Sequence, residues 1–321
     1  MPYLIKRLLS AIPLLIGITF ISFSLMKLAP GDATSMYRDP SISQADIAQI
    51  RSNLGLDQPL VVQYAKWLNN TIHGNLGYSF VTGEPTSKAI GDRIGATLLL
   101  SCASFGIILV ITFFLGLWSG YKKGSRFDDW VTIITFVGMS IPTFWLGLIL
   151  ILVFSLTLNV FPTSGYSNPF LSEASSLVRL GDIFHHMTLP LLTIVIGGVA
   201  GLTRYHRFGI ISILNQDYIR AARARGISES IILFKHAFKN ACLPIITILG
   251  LSLPGLISGS FVVEYIFAWP GLGQLGVQAV FARDYPIIMG TLLMSSVLII
   301  SGNLLADIAY AKIDPRIGTL S

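Results

Sequence analysis

Charge is scarce in this chain. Lys, Arg, Asp and Glu make up 12% of its 321 residues, while 53% are hydrophobic. A soluble domain carries about a quarter charged residues. Too few polar groups exist here to cover a globule in water, which excludes an ordinary soluble fold. Cysteine is also rare. Cys102 and Cys242 are the only two, both in or beside apolar runs. They read as small buried hydrophobes, and no disulfide framework or zinc spacing is present. The chain has no Gly-x-x-x-x-Gly-Lys-Ser/Thr loop, which excludes that route to nucleotide binding. It also lacks a nucleophile–base pair, an internal repeat, a low-complexity tract and a detached soluble domain. The formal charge of +6 would point to nucleic acid on a soluble protein. Here it is read as topology, and nucleic acid is not expected as a partner.

What the chain has is long apolar runs. A bilayer core about 30 Å thick takes about 20 residues of apolar helix. Six runs suit that length: Leu8–Leu28, Ala96–Tyr121, Trp130–Leu158, Thr188–Thr203, Ala241–Val263 and Pro286–Tyr310. The fourth is the shortest. The fold class is therefore an all-α integral membrane protein. Lys6 and Arg7 precede the first run and no small-x-small cleavage site follows it, so it reads as an uncleaved anchor rather than a signal peptide. Prolines 13, 142, 190, 244 and 254 fall within spans, where neighbouring helices can satisfy the freed backbone groups. Gly197, Gly198, Gly255 and Gly259 would let helices approach closely.

With the N-terminus inside, the cytoplasmic segments hold 14 basic and 6 acidic residues, and the outer segments 8 and 10. The split of +8 against −2 places both termini in the cytoplasm. The expected organisation is an N-terminal transmembrane helix at 1–28, an external cap at 29–95 and a five-helix core at 96–321. Within the cap, Ser43-Gln44-Ala45-Asp46 resembles the start of a short helix ending near Gly55. Pro59–Ile72 is amphipathic, with Tyr64, Trp67 and Leu68 near one face.

Within the core, the cytoplasmic loop Arg204–Asn240 is unusually long. It contains Asn215-Gln216-Asp217-Tyr218-Ile219-Arg220-Ala221-Ala222-Arg223-Ala224-Arg225-Gly226-Ile227-Ser228. This pattern predicts two short helices with a break. Asn215 is expected to cap the first, and Asp217 suits its positive end. The alanines favour helix and leave a close-approach face, Arg223 and Arg225 suit the C-terminal end, and Gly226 ends the helix in a left-handed conformation. Ser228 is expected to cap the second helix, which runs to about Asn240. The residues leave two readings open: a helix lying on anionic lipid, or a docking element for a cytoplasmic partner.

The loop resembles the EAA loop of ABC-importer permeases, with Ala221, Ala222 and Gly226 matching and Arg220 standing where a glutamate is common. The following His236–Pro244 stretch lacks the IxLP ending of sugar permeases. With Asp217-Tyr218-Ile219-Arg220 before it, it is similar to the B-type permease of dipeptide, oligopeptide and nickel importers. Further matches run along the chain in order: Leu28-Ala29-Pro30-Gly31-Asp32, Leu54–Pro59, Gly74-Asn75-Leu76-Gly77, Ser140–Trp145, Glu264–Gly273 and Asp307–Tyr310 followed by Asp314-Pro315-Arg316-Ile317.

The resemblance implies a type I ABC importer permease fold in a bacterial or archaeal cytoplasmic membrane. It implies a homologous second permease subunit, one or two kinds of ABC ATPase, an extracytoplasmic solute-binding protein and the lipid bilayer as partners. ATP and magnesium would be bound by the ATPases and no cofactor by this chain, which is then not an enzyme. The substrate class would be oligopeptides or dipeptides, with nickel as the alternative within the family. Asp217, Tyr218, Arg220, Ala221, Ala222, Arg223 and Gly226 would form the ATPase-coupling element, and ATPase closure would turn the bundle from inward-open to outward-open. Glu264 and Asp307 are the acids nearest the membrane. Glu264 is a candidate outer gate, against helix-end hydrogen bonding as the simpler reading. Trp269-Pro270-Gly271 reads as a turn. His185-His186 lacks a third metal ligand nearby and reads as an interfacial anchor, and His206 and His236 read as solvated. An ion-coupled carrier acting alone is the rival class. It would place ionisable groups near the midplane, and the middles of the expected spans have none.

Overall fold

The computed structural model describes residues 2–28, 57–238, 240–241 and 261–313. Among the described residues every regular element is a helix. The elements are α1 (Pro2–Leu28), α2 (Leu60–Ile72), α3 (Thr86–Tyr121), α4 (Arg126–Ser140), α5 (Thr143–Leu150), α6 (Ser176–Leu214), α7 (Asp217–Ala224), α8 (Glu229–Ile231), α9 (Leu272–Ala282) and α10 (Tyr285–Ile313). Helix α5 continues as a π-helix over Ile151–Thr157, and α8 continues as one over Ile232–Phe238. The chain forms two compact units: Met1–Gly95 with Gly271–Leu298, and Ala96–Pro270 with Ile299–Ser321.

In the first unit, the amphipathic stretch expected at Pro59–Ile72 is helix α2, with Tyr64 buried. Pro59 opens it from an extended conformation, which its fixed φ and missing N–H allow at a helix start. Tyr64 packs on Phe23 of α1 and stacks on Trp67. Its hydroxyl lies 2.9 Å from Thr19 Oγ1 and donates to the Ile16 carbonyl at 3.1 Å. The phenol thus buries its ring and keeps its polar end satisfied. Asp284, at the turn between α9 and α10, accepts from Ser79 Oγ and from the backbone N–H groups of Phe80 and Val81 at 3.1 and 3.4 Å. That carboxylate pins the 78–84 loop. The capping segment Ser43–Asp46 and the helix end near Gly55 lie outside the described residues.

In the second unit, three helices pack at very close range. A Cβ on Gly116 would come within 2.6 Å of His206, and one on Gly120 within 2.8 Å of Ile210, both side chains on α6. A Cβ on Gly198 would come within 2.5 Å of Ile108. Gly138 of α4 faces Ala200 of α6 in the same way, at 3.2 Å. Small residues let backbones approach where lipid supplies no hydrophobic drive between helices. Gly198 therefore has the role expected of it. Gly197 has open space at its Cβ position, and Gly255 and Gly259 lie outside the described residues.

Among the described residues, four helices are long and apolar enough to cross a bilayer: Leu9–Leu28, Thr86–Tyr121, Ser176–Leu214 and Tyr285–Leu304. The expected third span, Trp130–Leu158, is not one straight helix. It breaks at Ile141-Pro142 into two arms bent by 101°. Pro142 has no N–H to continue the ladder, and it holds Ile141 extended at φ −89°, ψ 121°. Taken as one span, the two arms bring the number among the described residues to five. The fourth span is much longer than Thr188–Thr203, because α6 runs unbroken through Pro190 to Leu214. Helix α9 follows the Trp269-Pro270-Gly271 turn, where the sequence pattern predicts no helix. The expected fifth span, Ala241–Val263, lies almost wholly outside the described residues, as does Cys242. Phe114, Trp130 and Ile134 are more than half exposed, as suits side chains that meet lipid rather than water.

Candidate coupling site

Helix α6 reaches Leu214, so residues 204–214 are an extension of the span and the loop proper begins at Asn215. Asn215 does not cap α7. It closes α6, and its carbonyl accepts from Arg220 Nη2 at 3.3 Å. Gln216 holds the N-cap position of α7 in extended backbone without a side-chain cap. Asp217 still stands in the first turn, where its charge faces the helix dipole. Ser228 precedes α8 in extended backbone, and its hydroxyl lies 3.3 Å from Ser230 Oγ rather than on a backbone N–H.

The break between the two helices is a Schellman motif. Gly226 sits at φ +76°. Its N–H donates to the Arg223 carbonyl at 2.9 Å, and the Ile227 N–H donates to the Ala222 carbonyl at 3.2 Å. These bonds satisfy carbonyls that the helix end would otherwise orphan. Ile227 packs on a small cluster formed by Ile219, Ala222 and Ile232. Arg223 clamps Glu229 across the break, with Nε–Oε1 at 2.7 Å and Nη2–Oε2 at 3.3 Å. The Glu229 carboxylate raises the Arg223 pKa, chiefly through that hydrogen bond. One turn, one apolar cluster and one bidentate pair therefore fix the angle between α7 and α8.

The two alanines have different surroundings. Ala222 is buried against Ile219 and Ile232, whereas Ala221 is exposed. Ala222 thus holds the two helices together and does not present its methyl group outward, in contrast to the expectation for the pair. The outward face carries Asp217, Tyr218, Arg220 and Ala221. Asp217 and Arg220 face each other at 3.4 Å with both side chains largely in solvent. Tyr218 Oη accepts from Asn240 Nδ2 at 3.4 Å.

Glu264 is fully buried in the second unit. It lies in the helical stretch 261–266, and its carbonyl accepts from the Trp269 N–H at 2.8 Å. Ala268 N–H donates to the Tyr265 carbonyl at 3.2 Å, with Ala268 at φ +47°. This is a second Schellman closure, with alanine in the position glycine usually takes. The Trp269 ring behind it is fully buried, donates from Nε1 to the Ala96 carbonyl at 2.9 Å and packs 4.8 Å from Tyr166. The expected turn at Trp269 is therefore also an anchor.

His185 Nε2 lies 2.8 Å from the Val160 carbonyl, and His186 Nδ1 lies 2.9 Å from the Asp182 carbonyl. No group of three or more metal-ligating side chains comes together among the described residues. His206 is not solvated. It is fully buried in α6, with Nδ1 3.3 Å from the Thr112 carbonyl and its ring against Phe113. His206 falls within the expected loop, but the span runs past its expected end at Thr203. In the sequence Asp128 and Arg207 are only two of the charges on the cytoplasmic segments. They form a bidentate pair, Nε–Oδ1 2.5 Å and Nη2–Oδ2 2.7 Å, with Asp128 buried and Arg207 partly so. No local pattern links residues 79 positions apart.

Residues 112–319 match the family described as binding-protein-dependent transport system inner membrane component. Residues 1–101 match the family of its N-terminal portion. The oligopeptide transport system permease protein AppB of Bacillus subtilis is 48% identical over 316 residues, covering 98% of each chain. A putative peptide transport system permease protein of Brucella abortus is 39% identical over 314 residues, and a probable peptide ABC transporter permease protein of Sinorhizobium fredii is 35% identical over 315, each again covering 98% of both chains. The fold is similar to a chain of the MetNI methionine ABC transporter solved in inward-facing conformations. The TM-score is 0.57 at 16% identity, over 71% of this chain and 97% of that one. The chain belongs to the inner-membrane permease family of binding-protein-dependent ABC import systems, whose ATP hydrolysis resides in partner subunits.

Proposed function

We propose that this permease carries oligopeptides or dipeptides inward across the cytoplasmic membrane, with α7 and α8 as the element through which ATPase closure drives the bundle. The reading of the substrate rests on the 48% identity with the oligopeptide permease AppB over 98% of both chains. The reading of the coupling element rests on the two-helix loop, whose angle is fixed by the Gly226 turn and whose exposed face carries Asp217, Tyr218, Arg220 and Ala221. A homologous second permease completes the pathway, one or two kinds of ATPase bind ATP and magnesium, and an extracytoplasmic solute-binding protein delivers the peptide. Glu264, buried beside the Trp269 anchor, is the outer-gate residue. Both termini are cytoplasmic, a reading that the charge split supports.

The test is uptake by the full complex, reconstituted with its partner subunits. Labelled di- and oligopeptides are expected to accumulate with ATP, and nickel ions are not. Accumulation of nickel but no peptide would overturn the substrate reading. For topology, a single cysteine at Gln63 should label from outside and one at Ser228 from inside. The reverse pattern refutes the orientation. The purified chain alone should hydrolyse no ATP.

A further inference from the structure

The Asp128 carboxylate, in the second unit, is heavily bonded. It accepts the Arg207 guanidinium through two bonds, Ser119 Oγ at 2.5 Å and the Gly124 N–H at 2.9 Å. Four donors on two oxygens satisfy it fully. Its side chain is 4% exposed and that of Arg207 is 18% exposed. These partners come from three elements: Ser119 near the end of α3, Gly124 and Asp128 around the α3–α4 turn, and Arg207 in the last two turns of α6. The close contacts through Gly116, Gly120 and Gly138 join the same three helices. Only two residues separate the end of α6 from the start of α7.

We propose that Asp128 and Arg207 are positioning residues for coupling. They lock the cytoplasmic end of α6 to the α3–α4 hairpin, so that a displacement of α7 moves all three helices as one body. The proposal rests on the reading of α7 as the ATPase-facing element. Without the lock, α6 pivots at its cytoplasmic end and a push on α7 is absorbed there. A buried ion pair adds little net stability, but it fixes one geometry, because either partner left alone is a buried unpaired charge.

The test uses the assembled complex in proteoliposomes. Spin labels at Lys123→Cys and Asn215→Cys, in a Cys102→Ser/Cys242→Ser background, report the distance between the hairpin and the end of α6. That distance is expected to stay the same with and without ATP. In Asp128→Asn it is expected to shift or broaden with nucleotide, while solute moved per ATP hydrolysed falls at least tenfold. Asp128→Asn/Arg207→Gln, which leaves no unpaired buried charge, is expected to assemble at the native level and remain uncoupled. A role in stability alone would lower the amount of complex and leave solute moved per ATP unchanged. A nucleotide-dependent distance in the native pair, or native coupling in the double variant, overturns the proposal. The distance measurement leaves the pair intact, so a nucleotide-dependent distance overturns the proposal even if neither variant assembles. Ala221→Trp separates the underlying reading. It should abolish ATPase copurification if α7 docks the ATPase. Full ATPase retention would sink the docking reading while leaving the distance result to stand or fall separately.

Discussion

Gly226→Val should uncouple ATP hydrolysis from uptake without unfolding the membrane bundle. Gly226 lies outside every span and at φ +76°. An added Cβ would meet nothing within 4 Å, so the substitution creates no clash and acts on the backbone alone. A non-glycine residue in this region is strained by about 1 to 3 kcal/mol, with β-branched side chains at the upper end. Relief means leaving the left-handed well, which breaks the Gly226–Arg223 and Ile227–Ala222 bonds, each worth about 1 kcal/mol net. With about 2 kcal/mol of strain, the native turn loses a factor of roughly 30 in population relative to relaxed geometries. Ile227 then leaves the Ile219–Ala222–Ile232 cluster, and α7 changes its angle to α8. Gly226→Asn separates conformation from bulk, because asparagine tolerates positive φ and should retain more activity. Solute uptake, ATPase copurification and ATP turnover are measured for both variants in the assembled complex. The expected result is normal membrane insertion of the valine variant, with uptake lost through weak docking or futile hydrolysis. Native uptake by the valine variant would refute the mechanical role of the turn and return the loop to a passive helix on lipid.

Gly120→Leu should reduce the folded protein sharply, since even its Cβ would lie 2.8 Å from Ile210 and 3.0 Å from the Arg207 carbonyl. Overpacking of this kind costs about 1 to 3 kcal/mol, read as lost monodisperse protein in detergent. Ala268→Gly should raise thermal stability modestly, by up to about 1 kcal/mol. It removes the left-handed strain at φ +47°, offset in part by glycine's greater freedom when unfolded; an unchanged or lower melting temperature would contradict this. Trp269→Phe keeps an aromatic ring but removes the Nε1–H donor bonded to the Ala96 carbonyl at 2.9 Å; that carbonyl keeps its place in the α3 ladder, so the loss is about 0.5 to 1.5 kcal/mol. A melting temperature equal to that of the native chain would show that another donor takes over.

What was legible in the sequence follows from the range over which each physical cause acts. The apolar runs, the α2 helix and the left-handed Gly226 depend on composition, on amphipathic spacing or on one residue's φ, and all are visible within about ten neighbours. Span ends were less legible. Residues Arg204 to Leu214 look polar enough for a loop, yet α6 carries them as helix because Arg207 finds Asp128 and His206 is enclosed by Phe113 and Phe238. Their polarity is satisfied by residues distant in sequence, and hydropathy alone reads it as exposure. The reverse holds at Pro142. Trp130–Leu158 is apolar throughout, so hydropathy gives one span and shows no bend. The backbone restriction at Ile141-Pro142 turns the chain by 101° within it.

The same distinction explains why the two alanines of the loop read alike and behave differently. A sequence shows Ala221 and Ala222 as equal small residues on a short helix. Successive residues on a helix point about 100° apart, so a partner face that includes one of them leaves the other turned well away. The structure settles which is which through Ile232 and Ile227, residues of the following segment that close over Ala222. Ala222 is thus committed to holding the angle between α7 and α8, and Ala221 is left on the face with Tyr218 and Arg220. A motif of paired alanines can therefore serve two physical requirements at adjacent positions, a tight internal turn and an unobstructed external surface. A larger side chain at Ala222 would prise α7 from α8, whereas one at Ala221 would leave that packing intact and alter only the exposed face, which we propose docks the ATPase.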